Sequence, residues 1–339
     1  MVGNSRASGQ QFRKLPPWGA LQAASSGATP MAVGARVAAM TYADRLEAAV
    51  AAKQSPCLVG LDPHLDLLPP EFTAAHDPAA SRAEVARAVG DFLVEVIGLV
   101  AEYTPVVKPQ SAFFEALGAD GVESWERVVA ASHAADLLVI GDVKRGDIGS
   151  TAAAYARAFL TGGHGTDPAT LCDAITVNPY LGSDSIEPFL DACEATGKGL
   201  YVLVRTSNPS SAEFQATGEP PLADRVAEAV VRWGEDLVGE SGWSSVGAVV
   251  GATHAEELAR LRASMPRTPL LLPGYGAQGA GAGDVVGGFA EGLSGAVVNS
   301  SRGILFAHRS RPGVDWRDAT RDAARGMREE IVAALSTRA

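Results

Sequence analysis

The chain has 339 residues, with 28 Lys and Arg against 39 Asp and Glu, for a net charge of −11. Hydrophobic residues make up 47%, enough for a full core, which excludes a disordered or collagen-like chain. The acid excess argues against a general nucleic-acid binder, and no apolar run reaches the roughly 18 residues of a membrane-spanning helix.

Residues 1–40 hold Arg6, Arg13, Lys14 and Arg36 and no acid, so the tail is basic and the remainder is more acidic than the whole. Rich in Gly, Ala and Ser and lacking a sustained period, this tail is expected to be disordered. Pro16, Pro17, Gly19, Ser25 and Ser26 interrupt any apolar core of a secretory signal. An acid-free leader with Arg and Ser is compatible with a transit peptide. The simpler expectation is an overlong start, with Met31 or Met40 as the true beginning. Short β-branched runs then predict strands at 57–61, 105–108, 137–141, 174–177, 200–204, 246–250, 270–272 and 295–298. Helical spacing is read at 83–100, 124–133, 150–160, 187–196, 222–238, 255–264 and 316–335. Eight such alternations predict an α/β fold, a (β/α)8 TIM barrel forming a single domain over 41–339. No GxGxxG follows the first strand, which argues against a dinucleotide fold. Cys57, Cys172 and Cys193 are odd in number and far apart, which fits small buried side chains in a reducing cytoplasm.

In such barrels the chemistry sits at the C-terminal ends of the strands. Here those ends are unusually polar. They read Gly60-Leu61-Asp62-Pro63, Val107-Lys108-Pro109-Gln110, and Asp142-Val143-Lys144-Arg145-Gly146-Asp147. Later ends read Arg205-Thr206-Ser207-Asn208-Pro209, Pro273-Gly274-Tyr275-Gly276-Ala277-Gln278-Gly279, and Asn299-Ser300-Ser301-Arg302-Gly303. Asp142 and Lys144 are two apart, so an extended chain points both the same way. A lysine flanked by carboxylates keeps its proton, which suits a proton donor or an anion anchor and not a nucleophile. The last two segments read as a phosphate clamp. Their glycines let backbone N–H groups approach an anion, Gln278 can donate to it, and Arg302 can grip it bidentately. His64, His133, His164 and His254 show no ligand spacing and are assigned to surface or core.

With these segments in this order, residues 41–335 resemble the orotidine 5'-phosphate decarboxylase family, in its longer bacterial branch. The resemblance implies decarboxylation of orotidine 5'-monophosphate to UMP, the last step of de novo pyrimidine synthesis. It implies no metal, no cofactor and a homodimer with shared active sites. By matching segments, Lys108, Asp142, Lys144 and Asp147 would form an alternating charged array, with Asp147 reaching across from the partner subunit. Lys144 would protonate the carbon that loses CO2. Asp62 and Lys108 would bind ribose hydroxyls, Ile148 and Thr151 would line the neighbouring site, Ser207 would bond the pyrimidine, and Gln278 and Arg302 the phosphate. The long polar loop 206–221 is the expected lid. The competing readings are a metal-dependent phosphosugar aldolase or decarboxylase of the same barrel group, and a nucleotide-binding barrel without catalysis.

Overall fold

The computed structural model describes residues 40–252, 255–276 and 279–337. The expectations for residues 1–39, for His254 and for Gln278 lie outside them. Eight parallel strands close on themselves in sequence order. They are β1 (Cys57–Leu61), β2 (Val106–Pro109), β3 (Leu138–Arg145), β4 (Ala174–Val177), β5 (Gly199–Arg205), β6 (Val246–Val250), β7 (Leu270–Leu272) and β8 (Ala296–Ser300). The last returns to the first, Cys57 lying opposite Val298. The expected barrel is therefore present.

The helices are α1 (Tyr42–Lys53), α2 (Arg82–Val100), α3 (Ser111–Glu115), α4 (Gly118–Ala134), α5 (Gly149–Ala156) and α6 (Ser183–Thr196). They continue with α7 (Ala212–Gln215), α8 (Leu222–Trp233), α9 (Ala255–Ser264), α10 (Ala282–Val285), α11 (Arg302–Leu305) and α12 (Trp316–Ser336). In α2 the stripe Val89, Phe92, Leu93, Val96 and Val100 is buried against the strands. Its start is fixed by a reciprocal Ser81–Glu84 capping box. Several boundaries differ from the sequence reading, the fourth helix for one beginning at Gly118 and not at Ser124. The expected helix over 222–238 ends at Trp233, followed by Gly234 and a 3-10 turn. The one over 150–160 ends as an α-helix at Ala156 and continues as a π turn. The third strand continues past Gly141 to Arg145.

Helix α1 was not foreseen, and it closes one end of the barrel. Thr41 and Asp44 form its capping box. Tyr42, Leu46 and Val50, spaced by four, pack into an inner cluster with one residue from each strand: Leu58, Val106, Ile140, Ala174, Tyr201, Val249, Leu271 and Val297. The Tyr42 and Tyr201 hydroxyls lie 3.2 Å apart. Two residues further along the strands, the same inward face carries Gly60, Lys108, Asp142 and Thr176. The plugged end is thus opposite the polar rim.

Beside the plug, Arg45 of α1 pairs with Asp173, and His133 Nε2 lies 3.0 Å from the other Asp173 oxygen. His133 Nδ1 lies 2.9 Å from the Ala169 carbonyl. Both partners only accept, an arrangement that the doubly protonated imidazolium satisfies at both nitrogens. The Asp173 hydrogen bond raises the His133 pKa against the opposing effect of burial. Burial would raise the Asp173 carboxyl, but His133 and Arg45 outweigh it and hold the group at about 2. A raised His pKa contributes stability that is complete below the unfolded value of about 6.5 and is lost as pH rises through the folded value. The Asp173 contribution is present above about 3.9 and is lost as pH falls toward 2. His133→Gln should therefore flatten the decline of the urea midpoint as pH rises above about 6.5. An unchanged slope would show that this pair does not set it.

Candidate active site

The carboxylate of Asp142 is the hub of the rim. Its Oδ2 accepts from Lys108 Nζ at 2.8 Å and from Gln110 Nε2 at 2.8 Å. Its Oδ1 accepts from Lys144 Nζ at 2.6 Å and from the Thr176 hydroxyl at 2.9 Å. Burial would raise this carboxyl, but the ammonium groups of Lys108 and Lys144 outweigh it and hold it far below the ordinary range. Lys108 is 5% exposed. Burial would lower its pKa, and the charges of Asp142 and Asp62 more than reverse that. The order of charge is thus Asp62, Lys108, Asp142, Lys144, alternating in sign.

The local backbone places Lys144. The pairing of β3 with β4 shifts register between Gly141 and Arg145. Within that bulge Lys144 has φ +44°, the left-handed region. For a residue with a β-carbon this costs roughly 1–2 kcal/mol. The Lys144 N–H donates to Thr176 Oγ1 at 2.9 Å, and the same hydroxyl donates to Asp142. Thr176 therefore fixes the lysine backbone and its partner carboxylate with one oxygen. Lys144 itself is exposed and faces the mouth.

The rim continues from β2 through β1 to β8. Gly60 lies level with Lys108, and a β-carbon there would collide with the Ser301 hydroxyl and the Asn299 amide. A glycine is required at that close approach. Oδ1 of Asp62 and Oδ1 of Asn299 are both buried there without a partner among the described residues. After β7, Gly274, Gly276 and Gly279 have φ of +110°, +73° and +96°, and the turn closes with the Gly276 N–H donating to Ala280 O at 2.8 Å. Arg302 is exposed at the first position of α11. Tyr275, Gly276, Ser300 and Gly303 line one cleft of about 430 Å³ together with α12.

Most of the chain is similar to known proteins. Residues 58–314 match the family described as orotidine 5'-phosphate decarboxylase / HUMPS. The orotidine 5'-phosphate decarboxylase of Rhodopirellula baltica is 42% identical over 302 residues, covering 86% of this chain and 99% of the relative. That of Deinococcus radiodurans is 41% identical, covering 87% and 98%. The solved structure of Leishmania donovani OMP decarboxylase superposes with a TM-score of 0.67 at 33% identity, covering 88% of this chain and all of that one.

The chain belongs to the orotidine 5'-phosphate decarboxylase family. It is an enzyme, a carboxy-lyase of that family. Of the residues singled out by its motifs, the structure brings Lys108, Asp142 and Lys144 into direct contact and sets Asp62 beside Lys108. Asp147, Ile148 and Thr151 stand apart, at the start of α5. The Asp147 carboxylate accepts from the Ile148 N–H at 2.8 Å and pairs with no array member among the described residues. Ser207 packs against Gly251 beyond β5. Gln278 is outside the described residues. The loop 206–221 is not open chain, because it contains α7, and Gln215 ties back to Thr206 by two hydrogen bonds of 2.8 Å. Sequence reasoning missed Thr176 and the role of Gln110. Only the inward alternation along β4 could have suggested Thr176.

Proposed function

We propose that this decarboxylase works on orotidine 5'-monophosphate without a metal ion, with Lys144 as the proton donor. The observation that carries this is the Asp142 carboxylate held between Lys108 and Lys144, with the lysine ammonium open to the mouth. The bond from the ring carbon to CO2 breaks, and its electron pair stays on that carbon in the ring plane. No neighbouring π system takes up the charge, so a fixed ammonium must stabilise it. The Lys144 ammonium then gives its proton to the same carbon, forming UMP, and is reprotonated from solvent. Asp142 keeps the ammonium aimed. Because four donors already hold Asp142, no reorganisation is needed as charge develops.

The remaining roles are those that the family resemblance implies. Asp62, with a buried unpartnered oxygen beside Lys108, accepts from ribose hydroxyls. Arg302, the glycine turn and Gln278 hold the phosphate, and Ser207 bonds the pyrimidine. Phosphate binding far from the reacting carbon provides energy to order the loop 206–221 over the site. Asp147, Ile148 and Thr151 serve the neighbouring subunit in a homodimer. The exposed Ile148 and Tyr180, on segments joined by the Asn178 N–H donating to Arg145 O, support that assembly. The catalytic unit is residues 41–339, and three buried free thiols fit the cytoplasm.

The test is loss of substrate absorbance with orotidine 5'-monophosphate, with and without EDTA. Equal rates are expected. Dependence on added divalent metal would favour a metal-dependent phosphosugar enzyme, and binding of UMP without turnover would favour a binding protein. Arg302→Ala should raise KM by about 10- to 100-fold, since charged hydrogen bonds contribute roughly 1.5–3 kcal/mol. An unchanged KM would remove Arg302 from the phosphate site.

A further inference from the structure

Arg145 follows Lys144, and its guanidinium reaches three parts of the rim. Its Nη1 donates to the Val143 carbonyl at 3.0 Å, bracketing Lys144 from the residue before it. Its Nη2 pairs with Glu115 at the end of α3, the helix that continues from Lys108 and Gln110. Its plane lies over the rings of Tyr155 and Phe159, 5.3 and 5.4 Å from their centroids, on the helical segment that continues from Asp147 and Ile148. Its own carbonyl accepts from the Asn178 N–H at 2.8 Å, just beyond β4. Thus one side chain touches the segments that carry Lys144, Lys108 and Asp147.

We propose that Arg145 is a positioning residue for decarboxylation, holding Lys144 in its left-handed bulge and in register with the segments of Lys108 and Asp147. The proposal rests on the reading that Lys144 delivers the proton. Two observations favour positioning over bulk stabilisation. Lys144 occupies a strained conformation that an ordinary strand would relax, and the Val143 contact braces that bulge. Arg145 Nε is also buried without a partner among the described residues, an expense that an apolar side chain between the same rings would avoid. Only a planar fork can donate to a carbonyl and a carboxylate while stacking on rings, so lysine is not equivalent.

The experiment is steady-state kinetics of Arg145→Met, Arg145→Lys and Glu115→Gln, with UMP binding and a melting curve for each. The methionine keeps the stem between Tyr155 and Phe159. We expect kcat for Arg145→Met to fall about 10- to 100-fold, the scale of a small misplacement of a catalytic group. KM and UMP affinity should stay within about twofold, because the phosphate segments are untouched. Arg145→Lys should recover part of kcat, and Glu115→Gln should lose a few-fold. Should Arg145→Met fail to fold, Glu115→Gln and Arg145→Lys decide alone. Normal kcat in folded Arg145 variants, or a kcat loss matched by an equal rise in KM, overturns the positioning role. Those outcomes leave the Lys144 reading standing. That reading fails separately if Lys144→Ala stays active or the unmodified enzyme does not turn over orotidine 5'-monophosphate.

Discussion

Lys144→Ala should lower kcat by at least about 10⁴-fold while leaving the protein folded. Two contributions vanish together: electrostatic stabilisation of the ring carbanion and the proton that quenches it, each worth roughly 10²–10⁴. The substitution is gentle elsewhere. Asp142 keeps Lys108, Gln110 and Thr176 as donors. Alanine at φ +44° is no more strained than lysine, and the backbone N–H still reaches Thr176. UMP and inorganic phosphate should bind within a few-fold of the unmodified protein, since the segments proposed to hold the phosphate follow β7 and β8, on the far side of β1 from Lys144. Absorbance kinetics at high enzyme concentration measure the effect, and near-normal kcat would sink the proposed mechanism.

Asp142→Ala should be worse than a catalytic knockout, because it also destabilises the fold. Removing the carboxylate leaves two ammonium groups near one another, with Lys108 at 5% exposure and only the charge of Asp62 beside it. Breaking one side of a buried ion pair costs about 3–5 kcal/mol. Urea unfolding should show a loss of that size together with loss of turnover. The double variant Asp142→Leu with Lys108→Met should regain most of the stability, since matched apolar side chains often replace a buried pair without penalty. It should regain no activity. Full stability in the single variant would mean that Lys108 finds another partner.

Much of this architecture is legible in the sequence. Strands covered on both faces are continuous apolar runs, so all eight stood out, and their polar C-terminal ends named the rim. The limits of that reading are physical. The sequence reading ends the third strand at Gly141 because its last four residues are mostly polar, yet the strand runs on through a bulge and rejoins β4 at Arg145, with the Asp142 and Lys144 side chains paired to each other. The left-handed turn at Lys144 has no glycine to announce it. Thr176 and Gln110 meet Asp142 across distances of 34 and 32 residues in sequence, which no local pattern encodes. Helix α1 is short and rich in alanine, and its burial depends on a barrel end it must close.

That closure has a consequence for how the molecule can be altered. Tyr42, Arg45, Asp173 and His133 gather at the plugged end, whereas proton transfer is assigned to the other end of the same strands. Strands of this kind rise about 3.3 Å per residue, so Asp173 and Thr176 on the same stretch of chain are about 10 Å apart. At that separation, with no shared partner, changes in free energy add. Changes at the plug are therefore separate from turnover: a better-packed plug raises the melting temperature without touching the rate, whereas at the rim Asp142 serves both.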